Sequence, residues 1–177
     1  MPKYYSNKET FLRIVWAFIE PVFFRLSPRL FYGWRNFILR LFGAKIGRGV
    51  KIYPSAKITF PWLLIVEDNV VISWHVKVYN LGPVFIGSRT VISQYAHLCG
   101  GTHDFQNPDF LLLRTGLRIG ANVWVAADAF VGPGVNIGDN VVVGARSVVL
   151  RDVEANTLVA GNPAKPVRKI EKPLRTT

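Results

Sequence analysis

The sequence predicts an all-β fold, a parallel β-helix entered through a helical segment, and three observations carry that expectation. Ile119 to Glu154 divides without insertion or deletion into six hexads: IGANVW, VAADAF, VGPGVN, IGDNVV, VGARSV and VLRDVE. Each begins with Ile or Val and holds Val, Ala or Ser at its fifth position, a period that neither strand alternation nor a helical repeat describes as well. The same frame runs upstream through Ile46, Ile52, Ile58, Val66, Ile72, Val78, Ile86, Ile92 and Leu98, so all fifteen first positions are Ile, Val or Leu. The fourth position is often a residue that tolerates positive φ: Gly49, Asn69, Gly101, Asn122, Asp128, Gly134, Asn140 and Asp152.

Each hexad therefore reads as a flat strand and a tight corner, with its first side chain pointing into a prism. The fifteen hexads fall into five groups of three, which gives about five coils of eighteen residues. Stacking buries an apolar ladder that no single coil could bury alone. Small slips fall at Leu64-Ile65 and Val84-Phe85, and Ile58–Leu63 is expected to be distorted because Trp62 takes the small position. The β-helix occupies residues 46–160, interrupted by an excursion loop at 104–118 that contains Pro108 and Gly116 and has no period of its own. Loops of that length usually serve function.

Residues 1–45 form an amphipathic helical segment. Glu9 to Leu26 is dense in apolar residues and is broken or kinked at Pro21. Ser27-Pro28 is a candidate cap for a second helix, in which Leu30, Phe31, Trp34, Phe37, Ile38, Leu41 and Phe42 recur at helical spacing. Arg29, Arg35 and Arg40 lie off that stripe, and Gly43 ends it. Two destinations stay open: a plug for the open end of the β-helix, or an aromatic and arginine-rich surface lying on an anionic membrane. After Glu154 the repeat decays through AGNPAKPVRKI into a basic tail, residues 161–177.

The 177 residues suit one domain with an appendage, and half are apolar, ample for a core. Cys99 is the only cysteine, so there is no disulfide framework, which fits a reducing cytosol. A net charge of +11 points to an anionic partner: phosphate ligand, acidic membrane face or nucleic acid. Nucleic acid is not expected, because no helix-turn-helix, zinc or RRM pattern is present. The apolar run Ile14–Ile19 is too short for a secretory signal or a membrane span.

His103 closes the third group of hexads, in Gly100-Gly101-Thr102-His103-Asp104-Phe105, where the excursion departs. A neutral imidazole there suits proton removal from an alcohol whose oxygen attacks a carbonyl, with Asp104 or another loop carboxylate holding the tautomer. The plain alternative is a turn histidine that caps local backbone. Cys99 follows inward-facing Leu98, so it should point outward, and no basic residue adjoins it. A zinc hydratase would need three convergent histidines. His97 and His103 are six residues apart and His75 and His97 are 22 apart, so one chain does not stack them, and no metal is expected.

The repeat, the GTHDF lip and the AGNPAKPVRKI ending resemble the left-handed β-helix hexapeptide-repeat acyltransferases. WRNFILRLFGAKIG, VYNLGP, ISQYAHLCGGTHDF, NVWVAADAFVGPGVNIGDNVVVGARSVV and VAGNPAKPV together resemble the colanic acid biosynthesis acetyltransferases, from about Arg29 to Lys169. Galactoside and maltose O-acetyltransferases are similar at a greater distance. The resemblance implies left-handed coiling and an O-acetyltransferase of exopolysaccharide assembly that uses acetyl-CoA. It also implies a cytoplasmic homotrimer with a sugar or lipid-linked saccharide acceptor, working near the inner membrane face. It makes His103 the general base, places Trp124 where acetyl group and acceptor meet, and gives Asn80 a contact to the acceptor. Acetyl-CoA would lie along backbone groups of Ala127, Ala145 and Leu150-Arg151, with Lys165 and Arg168 toward its phosphates. Ala127 replaces a serine common in the sugar acetyltransferases, so no side-chain hydroxyl serves the cofactor there. The competing class is a non-catalytic β-solenoid that binds membrane or polysaccharide through its basic surface.

Overall fold

The structure, a computed structural model, describes residues 4–171. A parallel β-helix of triangular section forms its body, each coil giving one short strand to each of three sheets. The first face stacks Lys45–Ile46, Leu64–Val66, Val84–Ile86, Leu117–Ile119 and Asn136–Ile137. The second stacks Lys51–Ile52, Val71–Ile72, Val91–Ile92, Trp124–Val125, Val142–Val143 and Thr157–Ala160. The third stacks Lys57–Ile58, Lys77–Tyr79, His97–Cys99, Phe130–Val131 and Val148–Val149. All fifteen first-position side chains point into the bore, and even the most accessible, Ile46, is only 9 % exposed. Alternation within each strand then turns its neighbour outward.

Six of the eight expected corner residues have positive φ, from Asn122 at 53° to Gly134 at 77°. Gly101 and Asp152 do not, since the chain leaves the repeat at both places. Bulky His75, Arg89, Tyr95 and Arg146 take the same left-handed conformation, because the corner geometry recurs whatever residue occupies it. At the expected distortion the chain makes a short 3-10 turn, Pro61–Leu63, that carries Trp62 out of the bore.

Three expectations need correction. Five coils are complete, but Val153 bridges to Ile137 and Thr157–Ala160 joins the second face, so a partial sixth coil follows. The excursion has strands of its own: Thr102–His103 pairs antiparallel with Leu112–Leu113, and regular coiling resumes at Leu117. The basic stretch does not leave as a tail. Lys165–Lys169 folds back antiparallel to Thr157–Ala160, because its alternate backbone groups can complete the last exposed edge of the second face. Lys172 and Arg175 lie outside the described residues.

The amino-terminal segment covers the opposite end. Helix α1 (Asn7–Ile19) opens on a capping box between Ser6 and Glu9 and runs into a π-helical turn, Glu20–Arg25, at Pro21. Helix α2 (Tyr32–Leu41) starts after Phe31 rather than at Ser27-Pro28, and Gly43, at φ 88°, ends it. The Ser27 hydroxyl is committed elsewhere: it donates to Phe24 and accepts from Arg35.

In the stack, carbonyls of each coil accept from N–H groups of the coil before it, as Val66, Val70, Ile72, Val76 and Val78 do. The equivalent carbonyls of the first coil have no preceding coil. Helix side chains serve four of those five. Arg40 donates to Ile46, Asn36 to Val50, Arg35 to Ile52 and the Trp16 indole to Ile58, at 2.7–3.1 Å. The segment is thus a plug in both senses, apolar over the bore through Trp16, Phe24, Ile38 and Leu39 and polar over the sheet edges.

Of the two destinations left open for the second helix, the inward one goes to its polar side chains. Arg35 is fully buried, donating also to Ser27 Oγ and to the carbonyls of Pro28 and Arg29. Most of the apolar stripe (Leu30, Phe31, Trp34, Phe37, Leu41) faces away from the protein.

Candidate active site

His103 sits on the first arm of the hairpin, which leaves at the corner between the third and first faces. Its ring stacks on Phe110, centroids 4.3 Å apart, and its Nδ1 lies 2.9 Å from the Phe110 carbonyl oxygen. A carbonyl can only accept, so Nδ1 carries the proton and Nε2 of the neutral ring keeps its lone pair. Phe110 can turn that carbonyl toward the ring because it adopts φ 47° in the hairpin turn. The expected partner, Asp104, does something else. Its Oδ1 accepts from Gln106 N and its carbonyl from Asn107 N, so it braces the turn and does not touch His103.

Trp124 is half-exposed in the middle of the second face, its indole donating to Ser93 Oγ at 2.9 Å. The hairpin corner lies across the prism from that face, so one chain does not bring His103 and Trp124 together. Asn80 is fully buried. Its Oδ1 accepts from the N–H groups of Thr59 and Phe60 and its Nδ2 donates to Phe60 O, so its amide fastens the distorted first coil and presents nothing to a groove.

Ala127 and Ala145 occupy successive rungs of the corner between the second and third faces, joined by a bond from Arg146 N to Ala127 O. Their own N–H groups make no bond among the described residues. Lys165 lies opposite Ala160, one rung further along that corner, and Arg168 opposite Leu158. Both are exposed with no carboxylate in ion-pair range among the described residues, whereas Lys169 is held by Glu154 at 3.0 Å. Leu150 and Arg151 lie at a different corner, after the third face. Arg151, Lys165 and Arg168 nonetheless line one cavity of about 530 Å³ at the carboxyl end, together with Asp152 and Glu154. Small side chains, free N–H groups and unpaired cations along one edge fit an elongated ligand ending in phosphates.

A groove of about 660 Å³ lies between α1 and the third face, lined by no site residue the sequence marks. Arg13, Glu20, Lys57, Thr59, Phe60 and Tyr79 line it, and burial raises the Tyr79 phenol above its ordinary pKa. Leu81, also on its wall, packs so tightly on Gly101 that a Cβ there would lie 2.8 Å from Leu81 Cδ1, which ties the groove to the root of the His103 hairpin. Arg114, on the returning arm, donates to Leu81 O and binds Glu9 of α1, whose carboxyl it holds below its ordinary range. The signal was available in the outward alternate positions, Lys57, Thr59 and Tyr79, which a search for inward residues passes over.

The remaining candidates stay apart. His75 stacks on Tyr95 at a corner, and His97 stands on the third face between Tyr79 and Phe130. Cys99 faces outward, half-buried, and its thiol lies 3.2 Å from Gly101 O.

The hexads that build the prism match a known repeat: bacterial transferase hexapeptide repeats cover residues 116–151. The chain is 44% identical over 169 residues to the "Putative colanic acid biosynthesis acetyltransferase WcaF" of Escherichia coli K12, covering 96% of this chain and 93% of that protein. It belongs to this family of acetyltransferases. Solved structures share its fold. A maltose O-acetyltransferase from Clostridium difficile 630 has a TM-score of 0.84 at 24% identity, covering 94% of this chain and 90% of that one. A hexapeptide-repeat acetyltransferase of Vibrio cholerae O1 biovar eltor, complexed with acetyl coenzyme A, has a TM-score of 0.86 at 23% identity, covering 97% and 94%.

Proposed function

We propose that this chain moves the acetyl group of acetyl-CoA to a hydroxyl of a sugar or polysaccharide precursor, with His103 as the general base. The bond from His103 Nδ1 to the Phe110 carbonyl carries this reading, since it fixes the basic lone pair on Nε2. As the acceptor oxygen bonds to the acetyl carbon, Nε2 takes its proton and then returns it to the departing CoA sulfur. Acetyl-CoA supplies an already activated thioester, so direct transfer needs no covalent enzyme intermediate, and Cys99 has no part. The N–H groups of Ala127 and Ala145 would hold the donor along their corner, with Lys165 and Arg168 on its phosphates. The groove beside α1 would seat the acceptor, its aromatic rings and Arg13 suiting a saccharide with an anionic substituent.

The working form in this reading is a homotrimer, so that His103 of one protomer faces Trp124 of the next. The outward column Val71, Val91, Trp124, Val142 and Leu158 on the second face supports it, because an apolar flank on a β-helix suits packing against a copy. The place of action is the cytoplasmic side of a membrane that carries saccharide precursors; no described helix is long and apolar enough to cross it. The test is CoA release with a panel of free, nucleotide-linked and lipid-linked sugars, comparing the parent with His103→Ala. Equal turnover by both would remove His103 as the base.

A further inference from the structure

Eleven of the twenty large apolar side chains that stand exposed in the described residues belong to residues 11–41. They are not scattered. On α1, Phe11, Ile14 and Phe18 follow the spacing i, i+3, i+7, and on α2 so do Trp34, Phe37 and Leu41. Each helix thus has a second apolar stripe, opposite the one that covers the bore. Between the helices Leu26 and Leu30 are the most exposed of all within the plug, at 78% and 76%. Val22, Phe23, Phe31 and Trp34 there border an open groove of about 390 Å³. An apolar face this continuous marks an interaction site.

Charge around the face names its occupant. The first coil opens all three of its strands with lysine, so Lys45, Lys51 and Lys57 stand exposed, one on each face, in a ring just behind the plug. Residues 4–42 add Lys8, Arg13, Arg25, Arg29 and Arg40 on the surface, against two carboxylates. Those two are taken: Glu9 by Arg114 at 2.6 Å and Glu20 by Arg25 at 3.2 Å. The plug is built of helices about 10 Å across, a depth that outstretched lysines span to reach headgroup phosphates. A second copy of this face would bring like charges together.

We infer that the plug is a membrane-docking surface: the outer stripes of α1 and α2 and the Val22–Phe31 connection sink into the acyl boundary of a lipid bilayer while the Lys45, Lys51 and Lys57 ring binds its anionic headgroups. Arg35 explains how one short segment serves both roles. Because guanidinium, amide and indole groups seal the β-helix edge, little of the segment's apolar surface is needed inward, and the rest is free for lipid. This deepens the location proposed above and rests on no step of acetyl transfer.

Sedimentation of the full chain with vesicles of phosphatidylcholine alone, or of phosphatidylcholine and phosphatidylglycerol in equal parts, tests it without turnover. Binding to the anionic vesicles, weakened by salt and absent from the neutral ones, is the expected result. Phe18→Asp with Leu26→Asp lowers that binding at least about tenfold, since each apolar group withdrawn from lipid costs that order of affinity. Lys45→Glu and Lys51→Glu together, which leave Lys57 of the acceptor groove in place, lower it about 25-fold, at about fivefold for each lysine. Circular dichroism of both variants verifies that the fold is intact. No binding by the parent, or undiminished binding by the folded aspartate variant, overturns the inference. So does a drop in oligomer mass in that variant, which assigns the face to another copy. CoA release measured in parallel separates this outcome from failure of the acetyltransferase reading.

Discussion

The Phe110 carbonyl, and not the Asp104 carboxylate, lies 2.9 Å from Nδ1 of His103. A backbone acceptor fixes the tautomer, leaving Nε2 as the nitrogen that faces the acceptor. His103→Ala is expected to lower kcat about a hundredfold or more, the usual weight of a positioned base. Asp104→Asn keeps the turn bond to Gln106 N and should change kcat less than about threefold. Steady-state kinetics of the pair decides between carbonyl and carboxylate: a large loss in the asparagine variant would restore Asp104 as the orienting group.

The buried guanidinium of Arg35 has no carboxylate partner among the described residues; it donates to the carbonyls of Ile52, Pro28 and Arg29 and to the Ser27 hydroxyl. Burial lowers its pKa, yet the four acceptors favour the charged form. Arg35→Leu leaves those carbonyls unpaired beneath the plug and is expected to destabilise the protein by about 3–5 kcal/mol. Arg35→Lys restores the charge but not the planar fork, so it recovers only part. Urea unfolding followed by circular dichroism measures both.

What the sequence reveals and hides here follows from where each signal originates. Ile46 through Val149 were legible as core because the bore asks the same thing of every hexad, a compact apolar side chain, and the answer repeats. Arg35 was not, because its task is set by carbonyls that exist only once a first coil has no coil before it. The Thr102–His103 hairpin reads as loop in sequence, since its pairs with Leu112–Leu113 show no alternation. Lys165–Lys169 reads as tail in sequence, since charge and Pro166 mask an edge strand. Of the proposed site, His103 and the Ala127, Ala145, Lys165 corner stand out by spacing or resemblance. Asn80 shows the limit, as a motif match says nothing about which backbone groups consume an amide.

Lys165 and Arg168 carry exposed charges with no carboxylate in ion-pair range among the described residues. Replacing both with alanine should raise the KM for acetyl-CoA about tenfold while leaving that for the sugar nearly unchanged. The strand survives the change, because its pairing with Thr157–Ala160 is made by backbone. A larger effect on the sugar KM would move both residues out of the donor site.

His97 gives the fold a pH dependence separate from catalysis. Its ring lies edge-on between Tyr79 and Phe130, with centroids at 6.3 and 5.3 Å, and its Nε2 is enclosed without a partner among the described residues. Burial, and then the nearby Lys77 charge, lower its pKa below the ordinary 6.5. Between that lowered value and 6.5 the unfolded chain binds more protons than the folded one, so stability rises with pH across this window. The contribution is fully present above 6.5 and is lost as the pH falls toward the folded value. Glu9 and Glu154, both lowered by basic partners, act only below about 4.5 and do not overlap its upper part. Urea midpoints should therefore fall as the pH drops below 6.5, and His97→Leu should flatten that slope while leaving the steeper acid limb in place. An unchanged slope in the leucine variant would show that another group titrates in this range.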